Sequence, residues 1–425
     1  MKPDESLSTR DARHTWHPYT QHGLERNPLP VVGARGATLT LEDGTELIDA
    51  ISSWWTVLHG HAEPALVEAL GRQAQQLDHV LFAGATHEPA VRLSERLIEQ
   101  APGALNRVFF SDNGSTAVEI ALKIAYQGHV RAGHPERQTF CVLEGSYHGD
   151  TFGTMSVGDP DPFFEPFRPF LFDVRRIPAN AAALAQALDE LGPACAGFLV
   201  EPLVQGAGGM LFHSEDFLRE ASAMLRARGL PLIADEVMTG FGRTGDLFAC
   251  RRAGIEPDLM CLAKGLTGGM MPLSVTLATE ELFECFLSED RGKAFFHGHS
   301  FTAHPLGCAV ANASLDLVLE RDVPGRLNAI GATIESRLRG ALDPDRTRNL
   351  RHMGGIVAFD LVLDKPAGYL TAATLELRER ALSHGVLLRP LGDIVYAMPP
   401  ACTTPAQAEQ IASAMIALAE VAGAV

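Results

Sequence analysis

Leu259-Met260-Cys261-Leu262-Ala263-Lys264-Gly265-Leu266-Thr267-Gly268-Gly269 is an apolar run that stops at an amine and then breaks at glycines. A short apolar run bounded by a glycine-rich turn predicts a strand buried on both faces, as in the largely parallel sheet of an α/β fold. Val108-Phe109-Phe110, Phe198-Leu199-Val200 and Leu232-Ile233-Ala234 share this texture. Helical periodicity over 116–130 and 214–228 supplies crossovers between such strands. Residues 65–324 therefore read as one large α/β domain.

On the N-terminal side, residues 37–50 alternate in polarity around Asp43-Gly44, a strong signal for a tight hairpin, so residues 1–64 form a small β-containing segment. Residues 325–425 read as a second small unit. Its strands are expected near 355–363 and 385–398, with a closing helix near 405–423.

The bulk numbers narrow the partners. With 46% hydrophobic and 20% charged residues, the 425-residue chain is neither disordered nor fibrous. Its net charge of −17 argues against nucleic acid or an anionic membrane surface, both of which need clustered Lys and Arg, and leaves small molecules as the expected ligands. The seven cysteines are scattered without a C-x-x-C pair, which suits neither a disulfide framework nor a zinc site. Reduced thiols and no metal are expected. Met1 to Arg13 is polar, and no run of about 18 apolar residues occurs, so a cytoplasmic location is expected.

The chemistry starts at Lys264. A lysine at a strand end lies where α/β sheets bind ligands, and a desolvated amine there can form an imine. A surface lysine in a glycine-rich turn has the same local sequence. Asp235 ends another apolar run, and a carboxylate buried there needs a cationic partner. A pyridinium nitrogen would serve, and so would Arg243 or a helix start. Ser111-Asp112-Asn113-Gly114-Ser115 joins a strand at 107–110 to a helix whose start carries Thr116-x-x-Glu119, a capping-box spacing. Amides free at such a start suit a phosphate, although an ordinary capped helix looks alike. Tyr147, flanked by Gly145 and Gly149, suits either a stacking platform for a planar cofactor or core packing.

The order of these features, followed by Glu201-Pro202 between Tyr147 and Asp235 and by His297-Gly298-His299-Ser300-Phe301 after Lys264, resembles the class III aminotransferases of fold type I over nearly the whole chain. D-E-V-M-T-G-F-G-R-T-G (235–245) and L-A-K-G-L-T-G-G (262–269) are its specific motifs. The resemblance implies pyridoxal 5'-phosphate as cofactor. It implies a large domain with a mostly parallel seven-stranded sheet flanked by helices, and a smaller α+β domain built from the N- and C-terminal segments. Lys264 would be the catalytic residue, holding the cofactor as a Schiff base. Asp235 would pair with the pyridine nitrogen, Gly114 and Ser115 would hold the phosphate, and Tyr147 would lie against the ring. His299 and Ser300 would reach the phosphate of a neighbouring subunit, so a homodimer is implied. Ser300 replaces the threonine of many relatives and keeps the hydroxyl donor.

Three further segments are less general: Trp16-His17-Pro18-Tyr19-Thr20-Gln21, Ser52-Ser53-Trp54-Trp55 with His59-Gly60-His61, and Leu388-Arg389-Pro390-Leu391-Gly392-Asp393-Ile394-Val395-Tyr396. All three tryptophans of the chain lie in the first two, which makes generic core filler a poor account of them. Two adjacent tryptophans cannot both face inward on an extended segment. Together these segments resemble the branch of the family that serves biotin biosynthesis, whose acceptor is 8-amino-7-oxononanoate. That likeness implies a substrate pocket of Tyr19, Trp54, Trp55, Tyr147 and Gly298, with Arg389 forked on the carboxylate. S-adenosylmethionine or lysine would be the amino donor, and the residues leave both open. Arg243 is a further candidate for substrate contact, whereas His17 and His148 read as structural. An enzyme for ω-amino acids, ornithine or 4-aminobutyrate would share every cofactor residue. A non-catalytic cofactor-binding regulator would carry a DNA-binding domain and a basic patch, for which this chain has no sequence signal.

Overall fold

The computed structural model describes residues 5–25, 27–159, 164–363 and 373–420. At its centre is a seven-stranded sheet in the order Leu105–Ser111, Ser274–Thr279, Leu259–Leu262, Leu232–Asp235, Cys195–Val200, Thr139–Leu143, Arg175–Ile177. Ser274–Thr279 is antiparallel to both of its neighbours, and the remaining pairs are parallel. All four apolar runs singled out from the sequence are strands of this sheet. Cys195–Val200, Leu232–Asp235 and Leu259–Leu262 are buried at every position, because helices cover both faces of the sheet's middle.

Those helices follow from periodicity and caps. Glu215–Ala227 turns Phe217, Leu218, Ala221 and Leu225 inward at helical spacing, and Ser214 caps it by accepting the Phe217 amide. Each large side chain on that face contributes roughly 1.5–3 kcal/mol of burial. Gly114–Arg131 begins two residues before the expected start. Its capping box is Asn113 with Thr116, rather than Thr116 with Glu119. Glu119 instead accepts the Gly153 amide at 2.8 Å, so its carboxylate is spent on a neighbouring loop.

The register fixes where chemistry can occur. Asp235 pairs with Cys261 across two parallel strands, so Asp235 and Lys264 emerge at the same carboxyl edge of the sheet.

Besides a two-stranded hairpin of Val204–Gln205 and Leu211–Phe212, two smaller sheets flank this core. Thr38–Leu41 and Glu46–Asp49 form the expected hairpin, joined by Val31–Arg35 and, in parallel, by Val386–Leu387 from the C-terminal region. Thr347–Met353, Ile356–Leu361 and Ile394–Ala397 form the other. The strand expected over 385–398 is thus two short strands in different sheets. Pro390 offers no amide and Gly392 takes φ +66°, so the chain bends between them and Arg389 sits in the bend. The closing helix is Pro405–Glu420, and residues 421–423 of the expected helix lie outside the described residues. Among the described residues no helix is long and apolar enough to cross a membrane.

Candidate active site

A cavity of about 640 Å³ opens at the carboxyl edge of the sheet. Its walls include Gly114, Ser115, Tyr147, His148, Glu201, Asp235, Lys264 and Trp55. A second cavity of about 410 Å³ shares Trp55, Tyr147, Asp150 and Lys264 with it and adds Tyr19, Trp54 and Leu391. Residues from both ends of the chain thus meet those of the central sheet.

Lys264 follows its strand with φ +41°, a left-handed backbone that turns the side chain into the cavity. Burial of the amine lowers its pKa to about 8, against the opposing pull of Asp235 and Glu201. At pH 7 about a tenth of such amines is unprotonated and nucleophilic, far more than for an ordinary lysine. Asp235 is buried. One of its oxygens accepts the Val237 amide at 3.0 Å, and the other lies 2.7 Å from His148 Nδ1. Its partner is therefore neither Arg243 nor a helix start. His148, set aside as structural in the sequence, stands behind the key acid.

Glu201 follows the adjacent strand, Cys195–Val200, and is also buried. Burial, reinforced by the charge of Asp235, pushes its carboxyl well above the usual range. His148 Nε2 and Glu201 Oε2 have no hydrogen-bond partner among the described residues. Two orphaned polar atoms beside a buried acid and an amine mark a place built for a polar guest.

At the other end of the cavity, Asn113 takes the Thr116 amide, which leaves the first-turn amides of Gly114 and Ser115 at the wall. The Ser115 hydroxyl accepts from the Thr151 amide and bonds Thr151 Oγ1 and Thr154 Oγ1 at 2.9 and 2.8 Å, so backbone rather than hydroxyl is what Ser115 has to spare. Gly149 has φ +126°, and a Cβ there would come within 2.4 Å of the Ser115 side chain, so only glycine lets the Tyr147 loop close over the helix start. Tyr147 stacks on Phe164 and donates to Asp150 Oδ1 at 3.1 Å. Tyr19 donates to the same oxygen at 2.6 Å. An anion-binding helix start, a ring platform, a buried acid and an amine fit pyridoxal phosphate, the cofactor expected from the sequence.

The tryptophan pair is not extended. Ser52, Ser53, Trp54 and Trp55 have φ of 49°, 47°, 85° and 71°, a left-handed turn. This conformation costs about 1–2 kcal/mol per residue, so it must be held. Buried Asp49 accepts from the Ser53 amide and hydroxyl at 2.9 and 2.6 Å and lies 2.9 Å from His61 Nε2. Burial raises the Asp49 carboxyl, but His61 and Ser53 outweigh it and leave its pKa below the ordinary value. Arg243 donates to the carbonyls of Trp55, Val57 and Pro399. Only 1% exposed and lining neither cavity, Arg243 is a clamp on this turn and is not in reach of a substrate there. The turn lets both tryptophans serve: Trp55 is buried against the inner cavity, and Trp54 lines the outer one, edge-on to Tyr19.

Arg389 lines neither cavity; it stands behind the wall of the outer one, its guanidinium 5.2 Å from the Trp54 ring centre and one nitrogen 3.5 Å from the Tyr19 carbonyl. Gly298, His299 and Ser300 line neither cavity. Gly298 and Ser300 are exposed beside the exposed rings of Phe296 and Phe301. Sequence reasoning passed over Asp150, whose signal was an acid three residues after the platform tyrosine. His17 lies 2.6 Å from Asp11 and stacks on His22, within the N-terminal segment that carries Tyr19.

The family described as Aminotransferase class-III matches residues 19–418. The adenosylmethionine-8-amino-7-oxononanoate aminotransferase of Synechococcus elongatus is 49% identical over 420 residues, covering 95% of this chain and 97% of its own. Among solved structures, the enzyme of the same name from Methanocaldococcus jannaschii superposes with a TM-score of 0.93 at 31% identity, covering 98% and 99% of the two chains. A pyridoxal-phosphate-bound amine transaminase from an uncultivated Pseudomonas species gives 0.89 at 30% identity, covering 96% and 98%.

Proposed function

The chain belongs to the class-III aminotransferases, pyridoxal-phosphate enzymes, and on that premise we propose that it transfers an amino group from adenosylmethionine to 8-amino-7-oxononanoate, giving 7,8-diaminononanoate for biotin synthesis. The observation that carries the acceptor is the outer cavity, where Tyr19, Trp54 and Trp55 form aromatic walls and Arg389 lies against the Trp54 ring. A long aliphatic chain gains about 0.8 kcal/mol per methylene buried against such walls. Its terminal carboxylate then finds a guanidinium whose Nε has no partner among the described residues.

When bound, pyridoxal phosphate supplies an aldehyde and an electron-accepting ring. The residues do the rest. Lys264 would hold the cofactor through Nζ, and Nζ, when free, would carry and return a proton. Asp235, oriented by His148, would pair with the ring nitrogen and favour its protonated form. The amides of Gly114 and Ser115 would hold the phosphate, and Tyr147 would lie against the ring. Tyr147, with Tyr19 and Trp54, encloses the acceptor and excludes water. The exposed Phe296–Phe301 stretch supports a homodimer in which Gly298, His299 and Ser300 complete the partner's site. A division into segments 1–64, 65–324 and 325–425 and a cytoplasmic location are part of the same proposal.

The deciding experiment follows the cofactor absorbance during the half-reaction. 7,8-Diaminononanoate should discharge the band, and ornithine and 4-aminobutyrate should not. The opposite pattern would assign the chain to the ω-amino-acid branch of the family. Complementation of a biotin auxotroph lacking this aminotransferase, with Lys264→Ala as the failing control, tests the same point in cells.

A further inference from the structure

We infer that Trp55 is the resting platform of the free Lys264 amine, a positioning residue that keeps Nζ and its proton at the cavity floor whenever the amine is not bonded to cofactor. This rests on the reading of Lys264 as the cofactor-bearing lysine. Nζ lies 4.6 Å from the centre of the Trp55 ring. Among the described residues the amine makes no hydrogen bond or ion pair, so the indole face is its defined contact. An ammonium over an electron-rich face is attracted by the ring quadrupole, most strongly for tryptophan and where water is excluded.

The ring is fixed for this purpose. Trp55 Nε1 donates to Tyr396 Oη at 3.0 Å, and the two rings meet edge-on at 71°. The Trp55 carbonyl accepts from Arg243, and Asp49 anchors the start of the left-handed turn. With its only donor spent on Tyr396, the indole has nothing but its face to offer the cavity. The charged or titratable groups that act on the amine are Asp235, Glu201 and Arg243, and Tyr147 and Asp150 share the outer cavity with it. None of these provides the amine with a hydrogen-bonded seat. The face favours the protonated amine and opposes the desolvation that favours the neutral one, so weakening the face lowers the amine's proton affinity.

Fluorination weakens the face without changing its shape or admitting water. A full-length protein with tryptophan only at position 55 (Trp16→Phe, Trp54→Phe) is made with tryptophan carrying none, one, two or three ring fluorines. Each is converted to the pyridoxamine-phosphate form, in which Lys264 is free. The pH dependence of Lys264 acetylation is read by mass spectrometry. The midpoint should fall stepwise with each added fluorine, by about one pH unit or tenfold in proton affinity overall. A companion protein with tryptophan only at 54, and phenylalanine at 55, should show no dependence on fluorination. A midpoint indifferent to fluorination at 55, or moved equally by fluorination at 54, overturns the inference. This readout does not depend on which amine or keto-acid reacts, so its failure leaves the proposed reaction standing.

Discussion

The floor of the cavity and its rim are built by opposite means. Lys264, Asp235, Gly114 and Ser115 project from strand ends and a helix start of one buried sheet, each within a few residues of the element that fixes it. Tyr19, Trp54 and Arg389 come from loops, and one contact at the rim joins residues 370 apart in sequence; positive φ, which Tyr19 and Trp54 share with Lys264, does not separate the two regions. A sheet edge positions groups rigidly and cheaply, which suits chemistry shared by many enzymes. Strained loops need dedicated clamps, here Asp49 and Arg243, but can be rebuilt for a particular substrate without touching the floor.

If this division is real, damage to the floor and damage to the rim should separate in the assay. The largest effect is expected at the floor. Lys264→Ala should lose the cofactor's visible band as bound through lysine and reduce turnover on the order of 10⁴-fold or more, measured as the single-turnover rate. Arg243→Met removes a clamp of the rim and leaves three buried carbonyls short of a donor. It should cost on the order of 3 kcal/mol in urea unfolding, while the purified variant still forms the lysine-bound cofactor band. Equal loss of cofactor affinity and stability would mean that floor and rim are one unit.

A pH scan sharpens the same comparison. His59, beneath the lysine loop, lies 3.0 Å from Ser314 Oγ, and Ser314 in turn donates to the Gly265 carbonyl. Burial lowers the pKa of His59 to about 4, and His213, near the 204–212 hairpin, is lowered to about 4 by the same cause. Both are neutral in the folded protein, and the unfolded rings take protons first. The stability is therefore complete above about pH 6.5 and lost as pH falls from there toward 4, on the order of 2 kcal/mol for each ring. Urea midpoints at pH 7 and 5 should show the decline, and His59→Gln should shrink it. The smallest effect belongs to the rim: Arg389→Met should raise the acceptor's KM roughly 30-fold, about 2 kcal/mol, with cofactor uptake unchanged.

The floor was legible in the sequence because its signals are local. An apolar run ending in Asp235 or Lys264 announces both the strand and the group at its end, and Asn113-Gly114-Ser115 announces a helix start. The capping partner was misassigned because Thr116-x-x-Glu119 and Asn113-x-x-Thr116 satisfy similar spacing rules, and only tertiary packing, which gives Glu119 to Gly153, decides between them. His148 was missed for a related reason: its contact with Asp235 spans 87 residues and has no local signature. At the rim, Trp54-Trp55 was correctly marked as unusual, but no propensity predicts four successive left-handed residues. Such a turn exists only because distant groups hold it. The same distance hid Arg243, whose motif pointed to substrate while its guanidinium went to backbone carbonyls brought from residues 55, 57 and 399.

Borohydride reduction of the purified protein, followed by peptide mass spectrometry, tests the floor most directly. A pyridoxyl phosphate adduct on Lys264, abolished in Lys264→Ala, is the predicted result. Colourless protein with no adduct, or an adduct on another lysine, would contradict it.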